Sequence, residues 1–224
     1  MSWKQLYVLI ACEESQAECR EFRALGHIAY SCDIQPCRPS GNPEWHIQGD
    51  CRPLLQSRTT FLTQSGSVQH VPRWDLIICH PPCTYLTKVG SVWLFNNPDF
   101  VLVENGVKLF VNRERYLRMM CARDFFFECL GANAPYVAVE NPIPMSRALL
   151  PRPTTFACPS WFGCKYSKKT LYWLKNLPDI MPDVTPGNVR CLVRCSRGKY
   201  RSRTYPGLAK AIAEQWSNYI LDDL

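Results

Sequence analysis

Apolar residues in this chain fall into short continuous runs, and polar or turn-forming segments separate the runs. The runs Leu6–Ala11 and Leu76–Ile78 are apolar throughout, which is typical of strands that are buried on both faces of a parallel sheet. More mixed runs at His27–Cys32, His46–Asp50 and Tyr136–Pro142 predict three further strands. The pattern therefore predicts a sheet of at least these five strands.

Segments between and after these runs carry the signals of helices. Ser15 followed by Glu18 has the spacing of a capping box, and Gly26 has the position of a helix-terminating glycine, so a helix is predicted between them. Longer helices are predicted from about Arg113 to Leu130 and from about Pro206 onwards. This alternation predicts one α/β domain for the 224-residue chain, Rossmann-like, with a mostly parallel sheet and helices on both faces.

Two segments show no regular period. Residues 58–72 are polar and are expected to form a surface loop. Residues from about 88 to 115 interleave large aromatic side chains with asparagines, which favours an inserted loop over a helix. The aromatic run Phe125–Phe127 lies within the predicted long helix and is expected to be buried in the core.

The net charge of +7 is concentrated in one part of the chain. Residues 165–210 contain eleven lysines and arginines and two acidic residues, whereas residues 1–164 are nearly balanced. A basic third on a neutral body is typical of proteins that bind a polyanion; the alternative is a solvated basic face without a ligand. The residues expected to contact nucleic acid are Arg190, Arg194, Arg197, Lys199, Arg201 and Arg203.

The cysteine content bears on the compartment. The chain has thirteen cysteines, no signal peptide is apparent at its start, and no apolar run is long enough to span a bilayer. We therefore expect a cytoplasmic protein with free thiols and no membrane partner. The closest cysteine pairs considered as zinc ligands are separated by three to five residues, and none has the CxxC spacing, so no metal is expected.

Two strands end in the same unusual way. Pro81 and Pro82 stop the strand at Leu76–Ile78, because proline has no N–H for the sheet, and they place Cys83 just past the carboxyl end. The strand Tyr136–Pro142 is also ended by a proline, and it carries Glu140 to the same edge. Ligands bind at the carboxyl edge of open α/β sheets, so Cys83 and Glu140 are predicted to form a site there. The alternative for Cys83 is a small apolar residue.

Acidic residues close two other strands. Asp33 follows the second strand, where such an acid often binds ribose hydroxyls, although it could instead cap a turn. Asp50 ends the third strand. No glycine precedes Gly26, which argues against a bound pyrophosphate, whereas a nucleoside cofactor such as S-adenosylmethionine is compatible with the sequence.

These motifs together resemble the cytosine-C5 DNA methyltransferases, particularly short phage-type members. The Pro81-Pro82-Cys83 turn looks like the nucleophile motif of that family, and Glu140-Asn141 looks like its glutamate motif. Residues 166–173 resemble, more loosely, the basic strand that follows, and the segment from Pro206 resembles the closing helix. The resemblance spans nearly the whole chain, and its most specific part is the Cys83 and Glu140 pair.

The resemblance implies methyl transfer from S-adenosylmethionine to C5 of cytosine in DNA, either in a duplex with the base flipped out or in a single strand. Cys83 would be the nucleophile and Glu140 the acid. Lys168 and Lys169 would lower the thiol pKa or bind phosphate. The residues that would bind the cofactor are Cys12, Glu13, Glu14, Ser15, Asp33, Ile34, Asp50, His80 and Pro81.

Three departures from the family pattern keep alternatives open. The glycine-rich first motif is missing, His80 replaces the usual glycine, and only about thirty residues separate Trp173 from Pro206, where a target-recognition domain is normally inserted. One alternative is a catalytically inactive nucleic-acid-binding protein of the same fold. Another is an amino-methyltransferase of DNA bases, although His80 and Cys83 replace the polar and aromatic residues of its motif.

Overall fold

The structure is a computed structural model, and it describes residues 4–104, 106–164, 169–183 and 204–223. Within these ranges the chain forms eleven strands and four α-helices. The strands are β1 (Tyr7–Ala11), β2 (Ile28–Asp33), β3 (His46–Gln48), β4 (Thr60–Leu62), β5 (Val68–His70), β6 (Leu76–Cys79), β7 (Phe100–Glu104), β8 (Val107–Val111), β9 (Tyr136–Pro142), β10 (Thr155–Ala157) and β11 (Thr170–Lys175). The helices are α1 (Ala17–Ala24), α2 (Arg52–Leu55), α3 (Arg113–Leu130) and α4 (Pro206–Asp223).

Seven of these strands form one mostly parallel sheet in the order β10-β11-β9-β6-β1-β2-β3. The five strands from β3 to β9 are parallel to their neighbours, and β11 runs antiparallel to both β9 and β10. The chain builds outward from β1 to β3 and then returns to add β6 on the other side of β1. The strand order therefore reverses between β1 and β6, and the prediction of an α/β fold with a mostly parallel sheet is confirmed.

Helices cover both faces of the sheet, as predicted. Along β1, Val8 and Ile10 pack in a core with α1 and α4, whereas Leu9 and Ala11 pack in a second core with α2 and α3. Side chains of a strand alternate between the two faces, so each buried strand contributes to both cores. We refer to these as the α1/α4 face and the α2/α3 face.

The start of α1 differs from the predicted capping box. The N-cap position is Gln16, not Ser15, and its backbone is left-handed with φ of 55°. The carboxylate of Glu13 accepts the backbone N–H of Glu18 at 2.8 Å, while Glu18 points its own carboxylate away into the protein. The capping-box assignment is therefore wrong, because a residue outside the Ser-x-x-Glu motif caps the helix. The glycine stop is right: Gly26, with φ of 86°, follows the helix.

Both segments that were expected to be loops contain β-hairpins. Residues 58–72 contain β4 and β5, and Phe61 of this hairpin stacks on Trp74 with a centroid distance of 5.7 Å. Residues 88–115 contain a 3-10 helix at Lys88–Leu94 followed by the β7–β8 hairpin. The buried side chain of Phe61 packs this hairpin against the core, which a two-stranded hairpin needs because it is only marginally stable alone.

The aromatic run in α3 is only partly buried. Of the run Phe125–Phe127, only Phe126 is fully buried, while Phe125 is half-buried and Phe127 is exposed. The prediction of a buried run was wrong because three consecutive positions cannot share one face of a helix.

Among the described residues, no helix combines the length and hydrophobicity needed to cross a membrane.

Candidate functional site

The two proline-ended strands lie side by side in the sheet. β6 pairs with β9 in parallel register, with Cys79 opposite Val139. His80 extends β6 by donating its backbone N–H to the Ala11 carbonyl at 2.9 Å. Cys83 therefore follows the carboxyl end of β6, and Glu140 lies in the adjacent strand β9, two residues before that strand ends at Pro142.

The segments that follow these strands are hydrogen-bonded to each other. Lys88 donates its backbone N–H to the Ile143 carbonyl at 2.9 Å, and Met145 donates to the Leu86 carbonyl at 2.7 Å. The Cys83 carbonyl accepts the backbone N–H groups of Leu86 and Thr87 at 3.0 and 3.1 Å, which closes the turn. This pairing fixes the turn that carries the cysteine to the segment that carries the glutamate.

His80 lies between two carboxylates on the α1/α4 face. Its Nε2 is 3.1 Å from Glu18 Oε2, and its Nδ1 is 3.6 Å from Glu140 Oε2. The side chain of Glu18 is completely buried, and those of His80 and Glu140 are 13% and 15% exposed. Thr204 Oγ1 donates a hydrogen bond of 2.9 Å to Glu18 Oε1, so Glu18 is held by the chain just before α4 as well.

Burial and charge shift the pKa values in this network in the same direction. Burial disfavours the imidazolium of His80, but the carboxylates of Glu18 and Glu140 outweigh it and raise the pKa of His80 well above its usual value. Burial, together with the charge of Glu18, raises the pKa of Glu13 to about 8. Burial and the same two carboxylates also raise the pKa of Tyr172 well above its usual value, so this phenol stays neutral.

A large cleft opens on the α2/α3 face of the same sheet edge. Its volume is about 760 Å³, which is within the range of small-molecule sites. Pro82 lines it next to the Cys83 turn, and the apolar side chains of Ile34, Leu117 and Phe125 form its walls. Ile34 is 71% exposed, so a large aliphatic side chain stands open to solvent at this site.

Two acidic residues line the polar end of the cleft. Asp33 Oδ1 accepts the backbone N–H of Gln35 at 2.8 Å, and burial raises the pKa of Asp33 above its usual value despite that bond. Asp50 accepts the backbone N–H of Arg52 at 3.0 Å and forms an ion pair with its guanidinium at 3.3 Å. The Arg52 guanidinium in turn lies over the Phe125 ring at 4.6 Å.

Four of the nine predicted cofactor residues line this cleft, namely Cys12, Asp33, Ile34 and Asp50. The other five lie elsewhere. Glu13 and Ser15 turn toward the start of α1, where the Ser15 hydroxyl accepts the Ala17 amide at 3.3 Å. Glu14 forms an ion pair with Arg38, His80 belongs to the carboxylate network, and Pro81 is buried behind Pro82.

The basic residues are placed only in part. Lys169 lies just before β11, and its Nζ is 4.0 Å from the centroid of the Phe156 ring. Lys168 falls outside the described residues. The same is true of all six predicted nucleic-acid contacts, Arg190, Arg194, Arg197, Lys199, Arg201 and Arg203.

Sequence reasoning missed three groups near the site. Glu18 looked like a capping residue, and only the tertiary structure brings it to His80. Tyr85 and Arg118 line the cleft together, with a hydrogen bond of 2.8 Å from Arg118 to the Tyr85 hydroxyl. The sequence signal that could have identified Tyr85 as a site residue was its position two residues after Cys83. Within the described ranges, no group of three or more His, Cys, Asp or Glu side chains is arranged to hold a metal ion.

Comparison with known proteins supplies no family for this chain. No protein-family model matches it, and no curated protein shows significant similarity to it. Any function must therefore be argued from the residues of the site and their geometry.

Proposed function

We propose that this protein is an S-adenosylmethionine-dependent DNA cytosine-C5 methyltransferase. The observation that carries the proposal is that Cys83 follows the end of β6, while Glu140 lies in the adjacent strand β9, one position beyond the last register pair of the two strands, Cys79 and Val139. The cleft on the α2/α3 face begins at Pro82, the residue before the cysteine. A nucleophile, an acid and a nucleoside-sized cleft thus meet at one sheet edge, which is what methylation of a cytosine ring requires.

The cleft residues fit the proposed cofactor. Asp33 uses one carboxylate oxygen for Gln35, and its other oxygen can accept ribose hydroxyls. Ile34 and Phe125 offer apolar surfaces on which an adenine ring would pack. S-adenosylmethionine, when bound, would supply an electrophilic methyl group. The protein would supply orientation, through Asp33 at one end and the Pro82 turn at the other.

The protein's own groups account for the remaining chemistry. The Cys83 thiolate adds to C6 of the cytosine, which makes C5 nucleophilic. Glu140 delivers a proton to N3 as that bond forms, so that negative charge does not accumulate on the ring. After methylation, loss of the C5 proton and release of the thiolate restore the aromatic ring. A reducing cytoplasm, which keeps the thiol free, suits this chemistry.

DNA is the proposed substrate, with the target cytosine either flipped out of a duplex or presented in a single strand. Flipping costs a few kcal/mol, and phosphate contacts must offset that cost. The basic third of the sequence supports this role through its composition.

Covalent trapping tests the proposal directly. The protein should form an adduct with an oligonucleotide that carries 5-fluorocytosine in the presence of S-adenosylmethionine, because fluorine at C5 cannot leave as a proton does. Cys83→Ser should abolish the adduct, since a hydroxyl is far less ionised than a thiol. Cys121→Ser is the matched control, because Cys121 is an exposed cysteine that lines the same cleft.

The acid is tested separately from the nucleophile. Glu140→Gln should slow methyl transfer by about 10²–10⁴-fold, as expected for loss of a general acid, and should leave DNA affinity nearly unchanged. If peptide mass spectrometry maps the adduct to another cysteine, that cysteine and not Cys83 is the nucleophile. Methyl transfer that persists in Cys83→Ser would refute the mechanism.

A further inference from the structure

His80 makes two contacts that its place in the sequence does not explain. It precedes the two prolines of the nucleophile turn, and a glycine there would satisfy the backbone equally well. Its two ring nitrogens instead face two different carboxylates, Glu18 at 3.1 Å and Glu140 at 3.6 Å. An imidazolium, which carries a proton on each ring nitrogen, would hydrogen-bond to Glu18 and form an ion pair with Glu140 at the same time.

Three acidic side chains of the described residues face His80. They are Glu18 from α1, Glu140 from β9 and, at longer range, Glu13 from the turn after β1. Tyr172 of β11 lies opposite Glu140 in the sheet and is fully buried.

We propose that His80 is a positioning residue that orients Glu140 and supplies the proton that Glu140 passes to the substrate, with Glu18 fixing the imidazolium from the other side. This inference rests on the proposed function and deepens it by naming the source of the acid's proton. It also gives a use to the buried Glu18, which would otherwise be an expensive charge to bury.

The proton balance of this relay is simple. As the thiolate adds to the substrate ring, the Nδ1 proton of His80 moves to the Glu140 carboxylate, and Glu140 passes this proton to N3. His80 is then a neutral imidazole that still donates from Nε2 to Glu18. When the thiolate leaves, the proton returns from N3 through Glu140 to His80, so no proton is gained or lost within the relay over the cycle.

The arrangement can be tested without any catalytic activity. In full-length protein with ¹⁵N-labelled histidine, the ring nitrogens of His80 should report an imidazolium at neutral pH and titrate above His27 and His46, whose pKa values are lowered by burial. Glu18→Gln should lower this titration midpoint by about one pH unit or more, because it removes a buried charge partner. Thr204→Val, which removes only the hydrogen bond to Glu18, provides a milder variant if Glu18→Gln does not fold.

Activity provides the second measurement. The methylation rate of the wild-type protein should fall at high pH as His80 loses its proton, and Glu18→Gln should move this limb to lower pH by the shift seen in the titration. A purely structural role would lower the rate at every pH without moving the limb. Failure of the proposed function would appear as no methyl transfer with an unaltered His80 titration. A neutral His80 at pH 7, or a midpoint that Glu18→Gln leaves in place, would overturn the inference.

Discussion

At the carboxyl edge of the sheet, the two faces carry different kinds of side chain. On the α1/α4 face, Glu18, His80 and Glu140 form a buried charged network in which each side chain has a fixed partner. On the α2/α3 face, Ile34 and Phe125 line a wide apolar cleft that is open to solvent. One face buries charged side chains beside one another, and the other presents apolar side chains to an open cleft.

Backbone geometry contributes to this separation. Strict alternation along β1 would send Cys12 to the α1/α4 face, since Ala11 packs on the other one. Cys12 instead adopts a left-handed backbone with φ of 62°, and it lines the α2/α3 cleft. Non-glycine residues rarely adopt this conformation without a local reason. The strained residue Cys12 lies at the point where the chain leaves β1 and turns toward α1.

Removal of the Asp33 carboxylate, the proposed ribose acceptor, should weaken ligand binding in the cleft and leave the charged network on the α1/α4 face unchanged. Asp33→Ala is expected to weaken S-adenosylmethionine binding by about 10–100-fold, because a hydrogen bond to a charged group contributes about 1.5–3 kcal/mol. Titration calorimetry measures this affinity, and the histidine titration should show His80 unchanged. Asp222→Ala, at the exposed end of α4, is the control and should bind normally. Equal affinity in Asp33→Ala would remove the ribose assignment.

A larger side chain at the start of α4 should destabilise the packing of that helix on the α1/α4 face of the sheet. A Cβ on Gly207 would lie 2.2 Å from the Phe162 carbonyl oxygen, a backbone atom that cannot move freely. Gly207→Ala should therefore lower the free energy of unfolding by roughly 1–3 kcal/mol, the usual cost of overpacking, although alanine is the better helix former. Urea denaturation measures the change.

Gly131→Ala provides the matched control for that substitution. Its Cβ would lie 3.4 Å from the Phe127 carbonyl, an ordinary contact at the end of α3. We expect this variant to remain within about 0.5 kcal/mol of the wild type, as for most tolerated substitutions. Similar destabilisation by both substitutions would show that the contact with Phe162 is not the cause.

The sheet could be predicted from the sequence because its strands carry a strong local signal. The apolar runs ending at Ala11 and Cys79 are buried on both faces, and proline or an acid marks their ends. The carboxyl-edge position of Cys83 and Glu140 follows from that pattern, since parallel strands end together. The bounds of α3 were also predicted correctly, from Arg113 to Leu130.

The charged network could not be predicted in the same way. The Ser15-x-x-Glu18 spacing has a complete local explanation as a capping box, and nothing in the sequence favours burial of Glu18 under His80. Buried carboxylates depend on partners that are distant in the chain; His80 is sixty-two residues from Glu18. The β4–β5 hairpin was missed for a related reason, because a single buried aromatic residue, Phe61, anchors it.

The α1/α4 face should also make the stability of the protein depend on pH. Glu13 has a pKa of about 8 in the folded protein, against an ordinary value of 4.5. The folded state therefore keeps a proton that the unfolded chain loses, and the stability that this gives is complete below pH 4.5 and lost as the pH rises to about 8. Glu13→Gln carries no such proton, so it should flatten this decline.

The size of that change is limited by linkage to about 1.4 kcal/mol per pH unit, and urea denaturation at pH 6, 7 and 8 would measure it. His80 also has a raised pKa and contributes a decline of the same sign, so some slope should remain in Glu13→Gln. Glutamine keeps an oxygen for the Glu18 amide, which preserves the cap on α1. The exposed Glu44 supplies the control, and Glu44→Gln should leave the slope as it is. Parallel declines in Glu13→Gln and the wild type would mean that Glu13 is ionised in the folded protein and that His80 alone confers the pH dependence of this face.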